Sequence, residues 1–150
     1  MRRFVNDAPR AATLDAAIGP VDGPDDLCLV IGGDGTMLRA IQQFGPEYVY
    51  LGVNGGHLGF LMNDVPEDTA AAAAVARALL LDWVAHPFPR LHVRVEPGGR
   101  EAWALNDIYV EREAQTCHLR MTVDGVEIVG KMVADGVKIG RAHVCTPVTL

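Results

Sequence analysis

A continuous apolar run, Leu27-Cys28-Leu29-Val30-Ile31, stops dead at Gly32-Gly33-Asp34-Gly35-Thr36. A run of that kind suits a strand buried on both faces, and the glycines turn the chain at once. Beyond the turn Met37, Leu38, Ile41 and Phe44 recur at helical spacing, and Gly45-Pro46 supplies a stop signal. Tyr48 to Val53 reads as a second strand. Asp64 and Glu67 form a capping-box pattern with Pro66 in the first turn, and the alanine-rich stretch Thr69 to Leu81 is a strong helix former. Its Ala70 to Ala74 run is ordinary helix. Strand, helix, strand, helix predicts a parallel, layered, Rossmann-like α/β domain over residues 1–86.

From Pro87 the apolar period becomes two. Leu91, Val93 and Val95 alternate with polar residues, and Pro97-Gly98-Gly99 turns the chain into a strand candidate from Ala102 to Val110. Leu119 to Val123 and Val126 to Val129 flank Asp124-Gly125, a two-residue hairpin signal. A β-rich domain is therefore expected over residues 87–137, too short to close its own core and hence an incomplete all-β domain.

Composition narrows the function classes. Hydrophobic residues are 49% and charged residues 21% of 150, a globular balance. The net charge of −6 argues against nucleic acid or an anionic membrane as partner, since both reward clustered Lys and Arg. No run of about eighteen apolar residues marks a spanning helix. The start, Met1 to Asp7, reaches an acid before any apolar core, unlike a secretory signal. Three cysteines without close pairing fit a reducing, cytoplasmic setting. Cys28, inside the apolar strand, reads as an inert buried thiol. His57, His86, His92, His118 and His143 share no metal-ligand spacing with the cysteines, so no zinc site is expected.

The glycine turn carries the chemistry. Glycines let a phosphate approach the backbone, and the following helix N-terminus offers unpaired N–H groups and a positive dipole end. An acid there is electrostatically awkward unless a cation or a hydroxyl donor shares the site, which makes Asp34 a candidate proton acceptor or Mg²⁺ organiser. The alternative is a tight turn in which Asp34, or Thr36, caps the helix.

Three further segments extend the pattern: Val53-Asn54-Gly55-Gly56-His57-Leu58-Gly59-Phe60-Leu61, Ala104-Leu105-Asn106-Asp107-Ile108-Tyr109-Val110, and Val133-Ala134-Asp135-Gly136-Val137. Diacylglycerol, sphingosine and phosphofructokinase enzymes share the glycine turn. The segments in this order, over residues 27–137, resemble the NAD kinase family. The resemblance implies transfer of the γ-phosphoryl of ATP, or of polyphosphate, to the 2′-hydroxyl of the adenosine ribose of NAD⁺, giving NADP⁺, with Mg²⁺ or another divalent cation. It implies Asp34 as catalytic proton acceptor and Gly35 as the point where backbone meets the dinucleotide. Arg39 would contact phosphate, Asn54 would belong to the nucleotide site, and Phe60 would stack on adenine. Asn106 and Asp107 would hold the nucleotide, with Asp135 beside them. The family often carries Glu where Asp107 stands, one methylene longer. The full-length form is expected to be a homo-oligomer.

Each residue also has a plainer role open to it. Phe60 reads as core, Arg39 as a solvated helix residue, Asn106-Asp107 as a polar pair on a strand edge and Asp135-Gly136 as a turn. A lipid or sugar kinase sharing the turn, or a non-catalytic nucleotide-binding fragment, remain alternatives. From Lys138 the family pattern breaks off. Ile139 to Thr149 matches the translation of a common sequencing-library adapter with one base changed at a stop. Residues 138–150 are therefore expected to be a non-native tail on a truncated chain. Such a chain is expected to show little kinase activity and to expose strand edges that favour aggregation.

Overall fold

The computed structural model describes residues 1–56, 59–111 and 116–140, with the backbone alone at Cys117. The chain divides into two compact units, Met1–His86 and Pro87–Leu150.

In the first unit three parallel strands, β1 (Arg2–Val5), β2 (Leu27–Gly32) and β3 (Val49–Asn54), lie in the order β1-β2-β3. Every residue of β2 is buried, as its apolar run requires of a strand with helices on both faces. Its side chains alternate between two cores. Leu27, Leu29 and Ile31 face α1 (Pro9–Ile18) and α3 (Thr69–Leu81), packing with Ala11, Leu14, Ala72, Ala73 and Ala76. Cys28 and Val30 face α2 (Asp34–Phe44), packing with Met37, Ala40 and Met62. Arg77 of α3 donates to the carbonyls of Ala17 and Ile18 at 2.8 and 2.9 Å, satisfying the open end of α1.

Two local expectations are corrected. Asp64 and Glu67 do not cap α3: Asp68 does, accepting from Ala71 N–H at 2.9 Å, while Asp64 is held by Asn54. The strand expected from Ala102 to Val110 is two strands, β5 (Arg100–Ala104) and β6 (Asp107–Glu111), interrupted at Leu105-Asn106.

The second unit also contains β4 (Leu91–Val95), β7 (Cys117–Val123), β8 (Val126–Ala134) and β9 (Gly136–Gly140). All pairing is antiparallel: β4 with β5, β6 with β9, and β7 with β8. Asp124 and Gly125 both take positive φ, 50° and 80°, as the hairpin signal at this turn requires. Among the described residues of this unit none is buried, and Trp103, Val126, Ile128 and Val133 are each more than half exposed. Lys138, Ile139 and Gly140, read as the start of a non-native tail, form the last three residues of β9; residues 141–150 lie outside the described residues.

Candidate active site

The three parallel strands deliver their C-terminal ends to one edge of the sheet, where an open α/β sheet binds ligands. β1 leads into Asn6, β2 into the glycine turn, and β3 ends at Asn54, ahead of Gly55-Gly56. The backbone joins the last two directly, Gly55 N–H donating to Gly32 O at 2.9 Å. A Cβ on Gly55 would stand 3.2 Å from the Ala11 methyl and 3.4 Å from Gly32 N, so this approach needs glycine. On Gly32, a Cβ would run into the side chain of Thr36.

Asp34 is the first residue of α2 but does not cap it. The N-cap is Gly33, without a side-chain capping bond. Instead the Asp34 carboxylate crosses to the segment after β3, accepting the N–H of Phe60 at 3.0 Å and of Leu61 at 2.8 Å. Each carboxylate oxygen keeps a second lone pair. Beside it Gly35 is exposed, with no atom within 4 Å of where a Cβ would stand. Arg39 lies one turn further along α2, also exposed.

Phe60 is not core. Its ring is 94% exposed, because the bond from its N–H to Asp34 fixes the backbone at the rim of the site. Asn54, by contrast, is buried, and both ends of its amide serve the protein. Nδ2 donates to Asp64 at 2.9 Å and Oδ1 accepts from Gly56 N–H at 2.9 Å. Its side chain thereby shapes the loop. His57 and Leu58, part of the same motif, lie outside the described residues.

Asn106 and Asp107 belong to the second unit, both exposed, with Asp107 paired to Lys138 Nζ at 2.8 Å. The β6–β9 register sets Asp107 opposite Gly140 and Glu111 opposite Gly136. Asp135, which precedes Gly136, therefore sits one residue past the far end of the ladder from Asp107, roughly 16 Å of strand away and not beside it. A Cβ on Gly136 would meet Val110 O at 2.5 Å, so the Asp-Gly step serves close strand pairing as well as a turn.

Two residues that motif reading passes over, Asn6 and Arg10, complete the first unit's site. Asn6 Oδ1 accepts from Ala8 N–H at 2.7 Å, and its Nδ2 donates to the buried Thr36 hydroxyl at 3.0 Å. Arg10, at the start of α1, donates to Gly56 O at 3.1 Å and Pro66 O at 3.4 Å. Asn6-Asp7 ahead of Pro9 carries a turn signal that hints at the first; nothing local marks Arg10.

No helix among the described residues is long and apolar enough to cross a membrane. The ATP-NAD kinase N-terminal domain model matches residues 6–81, which include the whole of this site in the first unit. The chain is 37% identical to an NAD kinase of Symbiobacterium thermophilum over 130 residues, 83% of this chain and 45% of that protein. An NAD kinase of Acidovorax ebreus is 40% identical over 119 residues, 74% of this chain and 38% of its own length. One from Methanocorpusculum labreanum is 34% identical over 118 residues, 77% and 41% respectively. The chain thus spans less than half the length of these relatives. By its family match and these relatives, the chain belongs to the NAD kinase family.

Proposed function

We propose that the chain is the N-terminal part of an enzyme that transfers the γ-phosphoryl of ATP to the 2′-hydroxyl of the adenosine ribose of NAD⁺. The observation that carries this is the Asp34 carboxylate, fixed by two backbone N–H groups beside the open, side-chain-free surface of Gly35. In the reaction the 2′-oxygen bonds to the γ-phosphorus while the bond from that phosphorus to the β,γ-bridging oxygen breaks. ADP leaves, and the hydroxyl proton passes to Asp34. Phosphoryl transfer depends mostly on positioning and charge neutralisation, so Asp34 acts first by orienting the hydroxyl.

Around it Gly35 and the N-terminus of α2 receive dinucleotide backbone. Arg39 supplies a phosphate contact, and Phe60 an exposed ring for adenine. In the second unit Asn106 and Asp107 offer an amide and a carboxylate for hydrogen bonds to a nucleotide. The family resemblance implies a divalent cation. Among the described residues no three Asp, Glu, His or Cys side chains converge, and both Asp34 oxygens already accept N–H bonds. That donor set does not fit a cation cage built by the protein; an ion would arrive on the triphosphate as part of the substrate.

The full-length protein should form NADP⁺ from NAD⁺ and ATP and leave diacylglycerol and sphingoid bases unphosphorylated. Transfer to a lipid instead would overturn this assignment. The 150-residue chain alone should form little NADP⁺, since none of the described residues of its second unit, which carries Asn106 and Asp107, is buried.

A further inference from the structure

We infer that Arg10 is a positioning residue for Asp34, acting through the segment between β3 and α3; the inference rests on the kinase assignment above for its catalytic consequence. The Asp34 carboxylate is oriented by Phe60 N–H and Leu61 N–H, so whatever fixes those two amides fixes the carboxylate. The segment that carries them is anchored at its base by Asn54, which holds Gly56 N–H and Asp64. Asn63 ties it to the edge of β3, donating from N–H and Nδ2 to Gly52 O at 2.9 and 2.8 Å.

Arg10 adds a tie that spans the segment, its two terminal nitrogens splitting between Gly56 O and Pro66 O, positions before and after the amides that grip Asp34. A planar guanidinium presents donors in a fixed fork, so one side chain can set the spacing of two carbonyls ten residues apart in sequence. Bonds from a charged donor are also stronger than neutral ones. Arg10 is itself well founded: it extends from the first turn of α1, whose Ala11 packs against Gly55.

The test compares Arg10→Ala, Arg10→Lys and Arg10→Gln by residue-resolved amide exchange on this chain and by steady-state kinetics on the full-length protein. Alanine is compatible with the helix, and Gln preserves one donor group should Ala disturb folding. Exchange at Phe60 and Leu61 should rise roughly tenfold or more in Arg10→Ala while β2 amides stay protected. Lys, with one point charge in place of a fork, should restore only part of the protection. In the full-length protein kcat for NAD⁺ should fall roughly tenfold with KM changed less than threefold. Unchanged exchange at Phe60 and Leu61 would overturn the strap, and raised exchange with unchanged kcat would overturn its catalytic consequence. A wild-type protein without NAD⁺ turnover would sink the kinase assignment and the catalytic consequence, leaving the exchange to decide the strap.

Discussion

Asp34 Oδ1 accepts the backbone N–H of Leu61 at 2.8 Å, joining the first residue of α2 to a segment 27 positions later. This bond makes one site of two glycine-rich motifs that are separate in sequence. It also gives an acid in a glycine turn a reason to be there: its charge is met by amide donors, and each oxygen keeps a lone pair for a further donor.

Two glycines in this unit should respond oppositely to the same substitution. A Cβ on Gly52 would lie 2.8 Å from Met37 Cε and from Met62 Sδ, and 3.0 Å from Leu61 O. Gly52→Ala should cost about 1–3 kcal/mol of unfolding free energy, since the backbone at Leu61 cannot give way freely. Gly35→Ala meets open space inside a helix and should stabilise by about 0.5–1 kcal/mol, yet weaken NAD⁺ binding. Chemical denaturation with calorimetric titration of NAD⁺ checks both.

Much of this was legible in sequence because the informative residues sit close together. β2, the helix after it and α3 announce themselves through an unbroken apolar run, helical spacing and alanine content. The Asp124-Gly125 hairpin needs only its two turn residues. β1 hides because it has four residues and two are arginines, as an edge strand tolerates. α1 hides because part of its buried face is alanine, which gives little hydropathy contrast. Within the site, Asp34 and the glycines were readable as a motif, whereas the partners of Asp34 and Arg10 lie 26 to 56 residues away and Asn54 bonds Asp64 ten residues on. Phe60 misleads for the same reason: aromatic character suggests core, and only the bond to Asp34 shows why the ring points outward.

The Asn6–Thr36 bond should prove structural. Thr36 is 2% exposed, and its hydroxyl accepts Asn6 Nδ2 at 3.0 Å. Thr36→Val keeps the shape but strands a donor, and should cost about 1–3 kcal/mol. Thr36→Ser should cost less. Combining Asn6→Ala with Thr36→Val should cost less than the sum, because both remove one bond. Urea unfolding of the four variants reads the coupling.

Alkaline pH should loosen the α2 face of the sheet. Desolvation, reinforced by Cys28, Glu47 and Tyr48, pushes the Tyr50 hydroxyl up to about 12 from 10.0. Burial also pushes the Cys28 thiol above 9.0, with Arg2 opposing. Both groups are favoured in the protonated form by folding. Their contribution is therefore full below pH 9, begins to fade above it, and for Tyr50 is lost between pH 10 and about 12. Tyr50 donates to Gly45 O at 2.6 Å, a bond the phenolate cannot make. Tyr50→Phe should cost about 1 kcal/mol at neutral pH and flatten the loss above pH 10, as followed by denaturation across that range.

NADP⁺ formation by the full-length protein and by its Asp34→Asn variant decides whether Asp34 directs phosphoryl transfer to NAD⁺. Asn preserves size but has one acceptor oxygen for two N–H groups and no proton-accepting charge. The wild type should turn over. The variant should lose roughly a hundredfold or more in kcat while remaining folded. A wild-type protein that forms no NADP⁺, or an Asp34→Asn variant as fast as an active wild type, would show that Asp34 does not direct this transfer.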